Sequence, residues 1–463
     1  MNVKQTPRLH RKWIDPHAYG IVRALQKAGH ITYLVGGCVR DLLLGIQPKD
    51  FDIGTAARPE QVKRLIFRSF IIGKRFRLVL VKRDEQQFEV ATFRREQPPE
   101  AFVMELPALG QPNPQMELPE VGEELEEAED SAEGDESSAK KPRVTDNVYG
   151  TPEEDAQRRD FTINGLFYDP VAGKLIDYAQ GLPDLNARMV RMIGDPVRRL
   201  AEDPIRILRA LRLAHMIGFQ LDPDLRAAMA QQAEKLPTTV LPRRREEFLK
   251  LIRLKDPALA FQEAYDLGVL KHISPHLHAV FDDLDRAEVF LSHLRHIHDF
   301  AVDKQNPLEL FALLVLAYVR AVIQPDVTLP LKASEWEEHP FLLPLMRDEL
   351  GMFKFEQSLI AKALHMQSTL QRAEEFAKRG LRRQLAVLRN EAFTLALILA
   401  ERDYALAPKE VVFWRQSLEQ GASQLARMPN DSRKRRRRRR RKVVETQMVD
   451  AGLVPTEDDT QLN

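Results

Sequence analysis

Between Leu34 and Ile53 the chain reads LVGGCVRDLLLGIQPKDFDI: the end of an apolar run, a glycine pair, a helix-like segment and an Asp-x-Asp. The run Ile31–Val35 reads as a strand and VRDLLLG as a short helix, so Gly36 and Gly37 make the turn between them. Backbone without Cβ atoms can approach a triphosphate closely, and the helix behind it favours negative charge. Arg40, in the first turn of that helix, can reach the same phosphates. KDFDI reads as a second strand whose alternation puts Asp50 and Asp52 on one face, with Phe51 and Ile53 on the other. Two carboxylates about 7 Å apart along a strand can hold Mg²⁺ between them. An isolated Asp-x-Asp reads as readily as two solvated acids on an edge strand. The preceding GG-x-x-R-D-L-L-x-G favours the metal-holding alternative.

At 463 residues the chain is too long for one ordinary core and should hold two to four domains. Its one cysteine, Cys38, excludes an intrachain disulfide and fits a reducing compartment. No His or Asn partner stands near it in the sequence, so it reads as a small packing residue rather than a nucleophile. MNVKQTPRLHRKWIDP has no apolar core of a secretory signal, and Leu308–Ile323 is too short and too interrupted to span a bilayer. A soluble, cytoplasmic protein is expected, with no membrane partner. The net charge of +1 conceals an acidic run, Glu123–Glu136, and ten consecutive basic residues, Arg433–Lys442.

The organisation expected along the chain is an N-terminal extension (1–13) followed by an α/β head (14–180). The strands of the head are Ile31–Val35, Asp50–Ile53, Phe76–Val81, Gln87–Phe93, Leu166–Asp169 and Leu175–Tyr178, with a helix at Pro59–Phe67. Residues 96–146, rich in Pro, Glu, Ser and Gly, interrupt it and read as a disordered acidic insertion whose protein partners the sequence does not name. A helical neck (181–240) and a helical body and tail (241–428) follow. Apolar residues recur at helical spacing in Ile205–Ile217, Arg245–Leu254, Pro257–Tyr265, Leu308–Ile323 and Arg382–Ala400. Residues 429–463 read as a disordered, Arg-rich tail.

Three further constellations carry chemistry. Glu89, in QFEVATFRR, is a candidate third carboxylate from a neighbouring strand, or a surface acid paired with a lysine. In EEDAQRRDFTINGLFYD (153–169), Arg158, Arg159 and Asp160 crowd three charges ahead of an apolar strand; cations there can hold phosphates, and Asp160 can orient one or join the metal site. The same RRD also suits a solvated helix end, and Glu89 and Asp160 both remain open as the third acid. In AEDPIRILRALRLA (201–214), Pro204 suits a first helical turn behind Asp203, and Arg206, Arg209 and Arg212 recur along one side. Such a ladder can contact nucleotide or RNA, or be the polar face of a surface helix. Asp203 and Arg206 together have the donors and acceptors to read a base edge.

These motifs, GGxVRDLLLG, DFD, EVATFR, EEDAQRRDFTIN and EDPxRxLRAxR, stand in the order of the class II nucleotidyltransferase superfamily. Over residues 14–240 the chain resembles its CCA-adding tRNA nucleotidyltransferases and bacterial poly(A) polymerases. The resemblance implies a head with a mixed five-stranded sheet covered by helices, then all-α neck, body and tail domains. It implies that Asp50 and Asp52 bind magnesium, that Gly37, Arg40 and Arg159 hold the triphosphate, and that Asp203 and Arg206 face the incoming base. Asp160 would join the active-site acids, as in the poly(A) polymerase members. Cys38 departs from the Gly or Ala usual after the glycine pair.

Two features point to the poly(A) polymerase branch. IIGKRFRLVLV (71–81) is similar to the signature that separates it from CCA-adding enzymes. The basic run, with Arg433, Lys434, Arg435, Arg436 and Arg437, is similar to that branch's arginine-rich extension and can bind RNA phosphates without reading sequence. The expectation is a monomeric enzyme adding AMP from ATP to RNA 3′ ends with Mg²⁺, in mRNA processing and decay. Its alternatives are a CCA-adding enzyme and a catalytically silent RNA-binding protein. SHLRHIHDF, with His293, His296, His298 and Asp299, hints at a phosphohydrolase site but lacks suitably spaced distal partners, and reads as ordinary helix histidines.

Overall fold

Pro16 opens the first helix, α1 (Pro16–Lys27), behind Asp15, whose carboxylate accepts from the amides of His17 and Ala18 at 2.7 and 3.2 Å. The computed structural model describes residues 9, 11–73, 77–95, 148–298, 303–323, 330–403 and 405–427. The chain divides into two compact units, Met1–Thr238 and Thr239–Asn463. The expected acidic insertion, Lys74–Phe76 of the 71–81 signature and the basic tail lie outside the described residues.

In the first unit, β1 (Thr32–Val35) runs through the glycine turn into α2 (Gly37–Leu43). There follow β2 (Ile53–Thr55), α3 (Pro59–Leu65), β3 (Ser69–Ile72), β4 (Leu78–Arg83) and β5 (Gln86–Thr92). After the insertion come α4 (Pro152–Gln157), β6 (Leu166–Asp169), β7 (Lys174–Asp177), α5 (Gly181–Ala187) and β8 (Met189–Val190). The unit closes with α6 (Pro196–Glu202), α7 (Arg206–Ile217), β9 (Gln220–Leu221) and α8 (Pro223–Gln232). The main sheet has the order β3-β4-β5-β2-β1-β6-β7, with β2 and β5 parallel and every other pair antiparallel. The expected helix-covered mixed sheet is present, but it has seven strands rather than five. The edge strand β3 escapes a reading by alternation because its apolar residues fall on both faces, with Phe70 and Ile72 exposed and Ile71 between them half-buried.

The second expected strand begins later than Asp50. Pairing with β1 starts where the Val35 amide donates to the Asp52 carbonyl at 3.0 Å, and the regular strand covers only Ile53–Thr55. The alternation still holds, since Phe51 and Ile53 are buried while Asp50 and Asp52 are exposed.

The two faces of the sheet are treated differently. One buries Leu34, Ile53, Val79, Val81, Phe88 and Val90 on the side packed by α1 and α3. The other is covered at its β1–β6 end by Val35, Phe93, Phe167, Tyr33 and Tyr178 together with Ala156 of α4. Ring centroids there lie 5.8–6.3 Å apart, in tilted and edge-on pairs. Gly54 makes room for the cluster, because a Cβ there would come within 2.6 Å of the Phe93 ring. At the β5–β4–β3 end the same face is open, with Glu89, Lys82 and Phe70 exposed.

The second unit is helical, as the 3.6-residue periodicity requires. The stretch 382–400 is two helices, Leu381–Leu388 and Phe393–Arg402, rather than one. Asn390 ends the first and starts the second, its side-chain oxygen accepting from the Ala392 amide at 2.9 Å. No helix among the described residues is long and apolar enough to cross a membrane. Within this unit the helices Leu241–Ile252 and Lys354–Leu370 are joined by a buried ion pair. Arg245 donates to both Glu356 oxygens, at 2.7 and 3.0 Å, between the rings of Phe311 and Phe353. Leaving one charge of such a pair uncompensated costs about 3–5 kcal/mol, whereas replacing both partners with apolar groups costs far less. Glu356→Ala should lower the free energy of unfolding by that amount, and Arg245→Met combined with Glu356→Leu should recover most of it, as urea unfolding of the full chain will show.

Candidate active site

The turn after β1 is conformationally demanding. Gly36 sits at φ 76°, ψ −135°, and its amide donates to the Leu166 carbonyl of β6 at 3.0 Å. A Cβ on it would lie 2.8 Å from Arg159 Nη1 and 3.9 Å from Asp52 Oδ2. A glycine is therefore required twice over, by the backbone and by the two charged groups that flank it. Gly37 opens α2, and the Arg40 guanidinium curls back to 3.7 Å from where its Cβ would be.

Arg159 is held from three sides. Its Nε and Nη2 donate to Asp155 Oδ2 at 3.3 and 3.0 Å, its Nη1 to the Asn164 carbonyl at 3.3 Å, and it lies 5.3 Å from the Phe167 ring centroid. Asp155, nearly fully buried, also accepts from Arg158 and from the Arg94 amide. Arg40 is buried and committed, with Nε and Nη2 on Asp41 and Nη1 on the Asn164 side chain at 2.6 Å. It was expected to reach phosphates; in the structure it braces the glycine turn against the segment after Phe161.

The acids gather on the other side of Gly36. Pairing of Ile53 with Val90 sets Asp52 beside Glu89 on one face of the sheet. Although part of the Asp52 side chain reaches solvent, the packing around the rest pushes its carboxyl above the usual range, followed by the negative charge of Glu89, with Asp50 adding to the rise and Arg159 opposing it. Cys38, beneath the turn, is buried with its thiol raised to about 12 by burial and by Asp52, which leaves it a packing residue. No group of three or more His, Cys, Asp or Glu side chains among the described residues is arranged by itself to hold a metal ion. The donors nonetheless suit Mg²⁺, which is commonly held by one or two carboxylates and completed by substrate phosphates rather than by a full protein cage.

Asp160 is placed differently from the other acids. Its oxygens accept from Arg206 Nε at 2.9 Å and pair with Arg209 Nη1 at 2.7 Å, so two arginines of α7 take the carboxylate expected among the active-site acids. The acids that act on Asp52 are Glu89 and Asp50. Arg206 also donates through Nη1 to the Arg199 carbonyl at 2.6 Å. Asp203 follows the last turn of α6, three residues ahead of Arg206, and Arg212 is half-buried one turn beyond Arg209. Sequence reasoning missed Asp155, Asn164 and Arg199. The last, almost fully buried, donates Nη2 to the carbonyls of Arg158 and Arg159 at 2.8 and 3.2 Å. Only the capping box at Thr151–Glu154 marks the helix that carries Asp155, and nothing local marks its partners.

Among the described residues the histidine cluster forms no second centre. His293 donates through Nδ1 to the Val289 carbonyl at 2.8 Å and meets Asp403, whose hydrogen bond raises its pKa, while burial lowers that of His298. Asp299 lies outside the described residues.

Residues 32–191 match the family described as the poly A polymerase head domain, and residues 218–281 match "Probable RNA and SrmB- binding site of polymerase A". The chain is 34% identical over 306 residues to poly(A) polymerase I of Haemophilus influenzae, covering 64% of this chain and 60% of that one. It is 29% identical over 256 residues to the CCA-adding enzyme of Bacillus licheniformis, covering 55% of each. The chain thus spans about half to three-fifths of the length of the curated relatives it matches. The fold is similar to that of the Bacillus stearothermophilus CCA-adding enzyme solved with CTP, with a TM-score of 0.60, 23% identity and coverage of 89% and 84%.

Because the folded state raises the Asp52 pKa, it binds that proton more tightly than the unfolded chain does, and stability from this group falls as pH rises through the folded pKa. In chelator-treated, metal-free protein, Asp52→Asn should raise the thermal midpoint at pH 7. The gain should shrink as pH falls below the carboxylate range, and an equal gain at every pH would refute the electrostatic cause.

Proposed function

We propose that this chain, a member of the superfamily that holds poly(A) polymerases and CCA-adding enzymes, is a template-independent RNA nucleotidyltransferase that adds AMP from ATP to RNA 3′ ends and releases pyrophosphate. The carrying observation is the juxtaposition at Gly36. A side-chain-free turn stands between a pinned guanidinium, Arg159, and an acid face made by Asp52, Glu89 and Asp50. Nucleotidyl transfer needs both halves, one to hold the triphosphate and one to carry divalent cation charge at the reacting phosphorus.

In this reading the triphosphate lies along Gly36 and Gly37, whose missing side chains let it approach, with Arg159 and Arg40 supplying positive charge nearby. Mg²⁺ held by Asp50 and Asp52, with Glu89 the nearest further acid, would lower the pKa of the RNA 3′-OH and neutralise the departing pyrophosphate. Asp160 positions rather than coordinates, since it holds Arg206 and Arg209 by charge-assisted bonds. Arg206 and Asp203 then read the edge of the incoming base, and Arg212, with the basic residues 433–437, meets RNA phosphates. The poly(A) branch is favoured over CCA addition by the higher identity to a poly(A) polymerase, by the 71–81 segment and by the arginine run, which suits an enzyme accepting many 3′ ends. Such an enzyme would work in the cytoplasm on mRNA processing and decay.

An extension assay with Mg²⁺ separates the branches, offering ATP or CTP singly to an unstructured oligonucleotide and to a tRNA transcript ending before CCA. Long ladders on the oligonucleotide with ATP alone are expected; two C additions and one A on the tRNA only would place the chain in the other branch. Asp50→Ala and Asp52→Ala should abolish product while leaving RNA affinity within about twofold, and Mg²⁺ should raise the thermal midpoint of the wild type but not of these variants. Equal loss of binding and catalysis would defeat the metal-site assignment.

A further inference from the structure

The open half of the sheet carries an aromatic residue that the reaction centre leaves unused. Phe70 on β3 lies opposite Leu80 on β4, and Leu80 opposite Glu89 on β5. The pairing of Ile53 with Val90 sets Asp52 beside Glu89. Phe70, Leu80, Glu89 and Asp52 therefore form one row across one face. At about 4.8 Å per strand, Phe70 stands three strands, roughly 14 Å, from Asp52. Its side chain is 51% exposed, and Ile72 beside it on the same face is 41% exposed. Lys82, exposed on that face too, holds its ammonium 5.7 Å from the Phe70 ring centroid.

We propose that Phe70 and Lys82 form a stacking site for a base of single-stranded RNA, upstream of the 3′ end that reacts at Asp52. The proposal rests on the nucleotidyl-transfer reading and deepens it by giving the RNA a path across the sheet. A base offers a π face whatever its identity, so a ring at this place holds RNA without reading sequence, and the neighbouring ammonium meets the phosphate of the stacked nucleotide. Leu80, half-buried between Phe70 and Glu89, continues the apolar strip toward the acids and offers no group that would compete for hydrogen bonds. A protein strand docking here would pair with the β3 backbone edge and leave the face of the ring idle. In the proposed reading the incoming base meets Asp203 and Arg206, which leaves the open sheet face for the primer strand.

The test uses the full chain without ATP and a short oligoadenylate carrying 2-aminopurine at one position at a time. Quenching at an upstream position, read by titration, should be lost in Phe70→Ala, with affinity falling roughly 5- to 100-fold, as loss of one stacked base predicts. Phe70→Tyr should keep the quenching. Lys82→Gln should reduce the slope of log affinity against log salt by roughly one, the signature of one phosphate contact. With ATP and Mg²⁺, Phe70→Ala should raise KM for RNA and leave KM for ATP unchanged. Unchanged RNA affinity in a folded Phe70→Ala protein overturns the proposal, as does a salt slope unmoved by Lys82→Gln. A self-association abolished by Phe70→Ala, with RNA binding intact, assigns the surface to a second copy and also overturns it. If the wild type extends RNA while Phe70→Ala binds it normally, only the stacking site falls. If the wild type shows upstream quenching yet transfers no nucleotide, the stacking site stands and the reaction assignment falls.

Discussion

Asp155 is nearly buried, and its two oxygens serve two guanidiniums and a backbone amide at once. A carboxylate taken out of water needs that degree of satisfaction to persist, and it repays the arrangement by fixing Arg159. With Asp155 on one side, the Asn164 carbonyl on another and the Phe167 ring near it, Arg159 has little freedom left. Its charge is thereby kept beside Gly36 and Asp52 without any substrate to order it. A cation ordered in advance binds phosphate without first losing side-chain entropy, which is the advantage of a preorganised site. Removing Asp155 would leave Arg159 in place only as far as one carbonyl and one ring can hold it.

The next residue in the chain faces the other way. Arg159 belongs to the acid face and the glycine turn, whereas Asp160 belongs to α7, where it binds Arg206 and Arg209. Arg199 clamps the carbonyls of Arg158 and Arg159 from α6, and the Ile193 amide donates to the Asp160 carbonyl at 3.0 Å. One short segment therefore ties Arg159 to the helix that carries Arg206 and Arg209. While these ion pairs hold, a shift of α7 pulls on the Asp160 carboxylate, which is one peptide bond from Arg159. In the reading adopted here, base choice and phosphate placement are coupled by covalent geometry rather than by a long relay.

Much of this was legible in the sequence where the signal is local. The glycine pair between an apolar run and a helix, and the exposed–buried alternation through Asp50 to Ile53, describe the chain's own neighbours, and the structure places them as that pattern demands. Partners far along the chain are another matter. The spacing of Arg206, Arg209 and Arg212 marks one side of a helix but cannot say that Asp160 already occupies two of these arginines. Arg40 stands in the right turn of α2, yet Asn164, more than a hundred residues away, decides where its guanidinium points. Asp155, Asn164 and Arg199 carry no periodicity, so they were invisible until the fold brought their partners to them.

The division of one sheet face into a covered and an open half accounts for where the acids stand. Toward β6 the face is closed by aromatic rings, and Gly54 gives up its side chain so that Phe93 can close it. Toward β3 the face is open, and nothing but Leu80 separates Glu89 from Phe70 across the strands. Asp52 lies at the seam, with low-dielectric packing on one side and a like-charged neighbour on the other, and both raise the free energy of its ionised form. Arg159 offsets this only in part. Such a seam leaves negative charge only partly balanced beside the glycine turn, and a cationic group there would relieve it. In the nucleotidyl-transfer reading, a divalent cation arriving with a nucleotide would meet this need, and the crowding that raises the Asp52 pKa in the free protein would favour its binding.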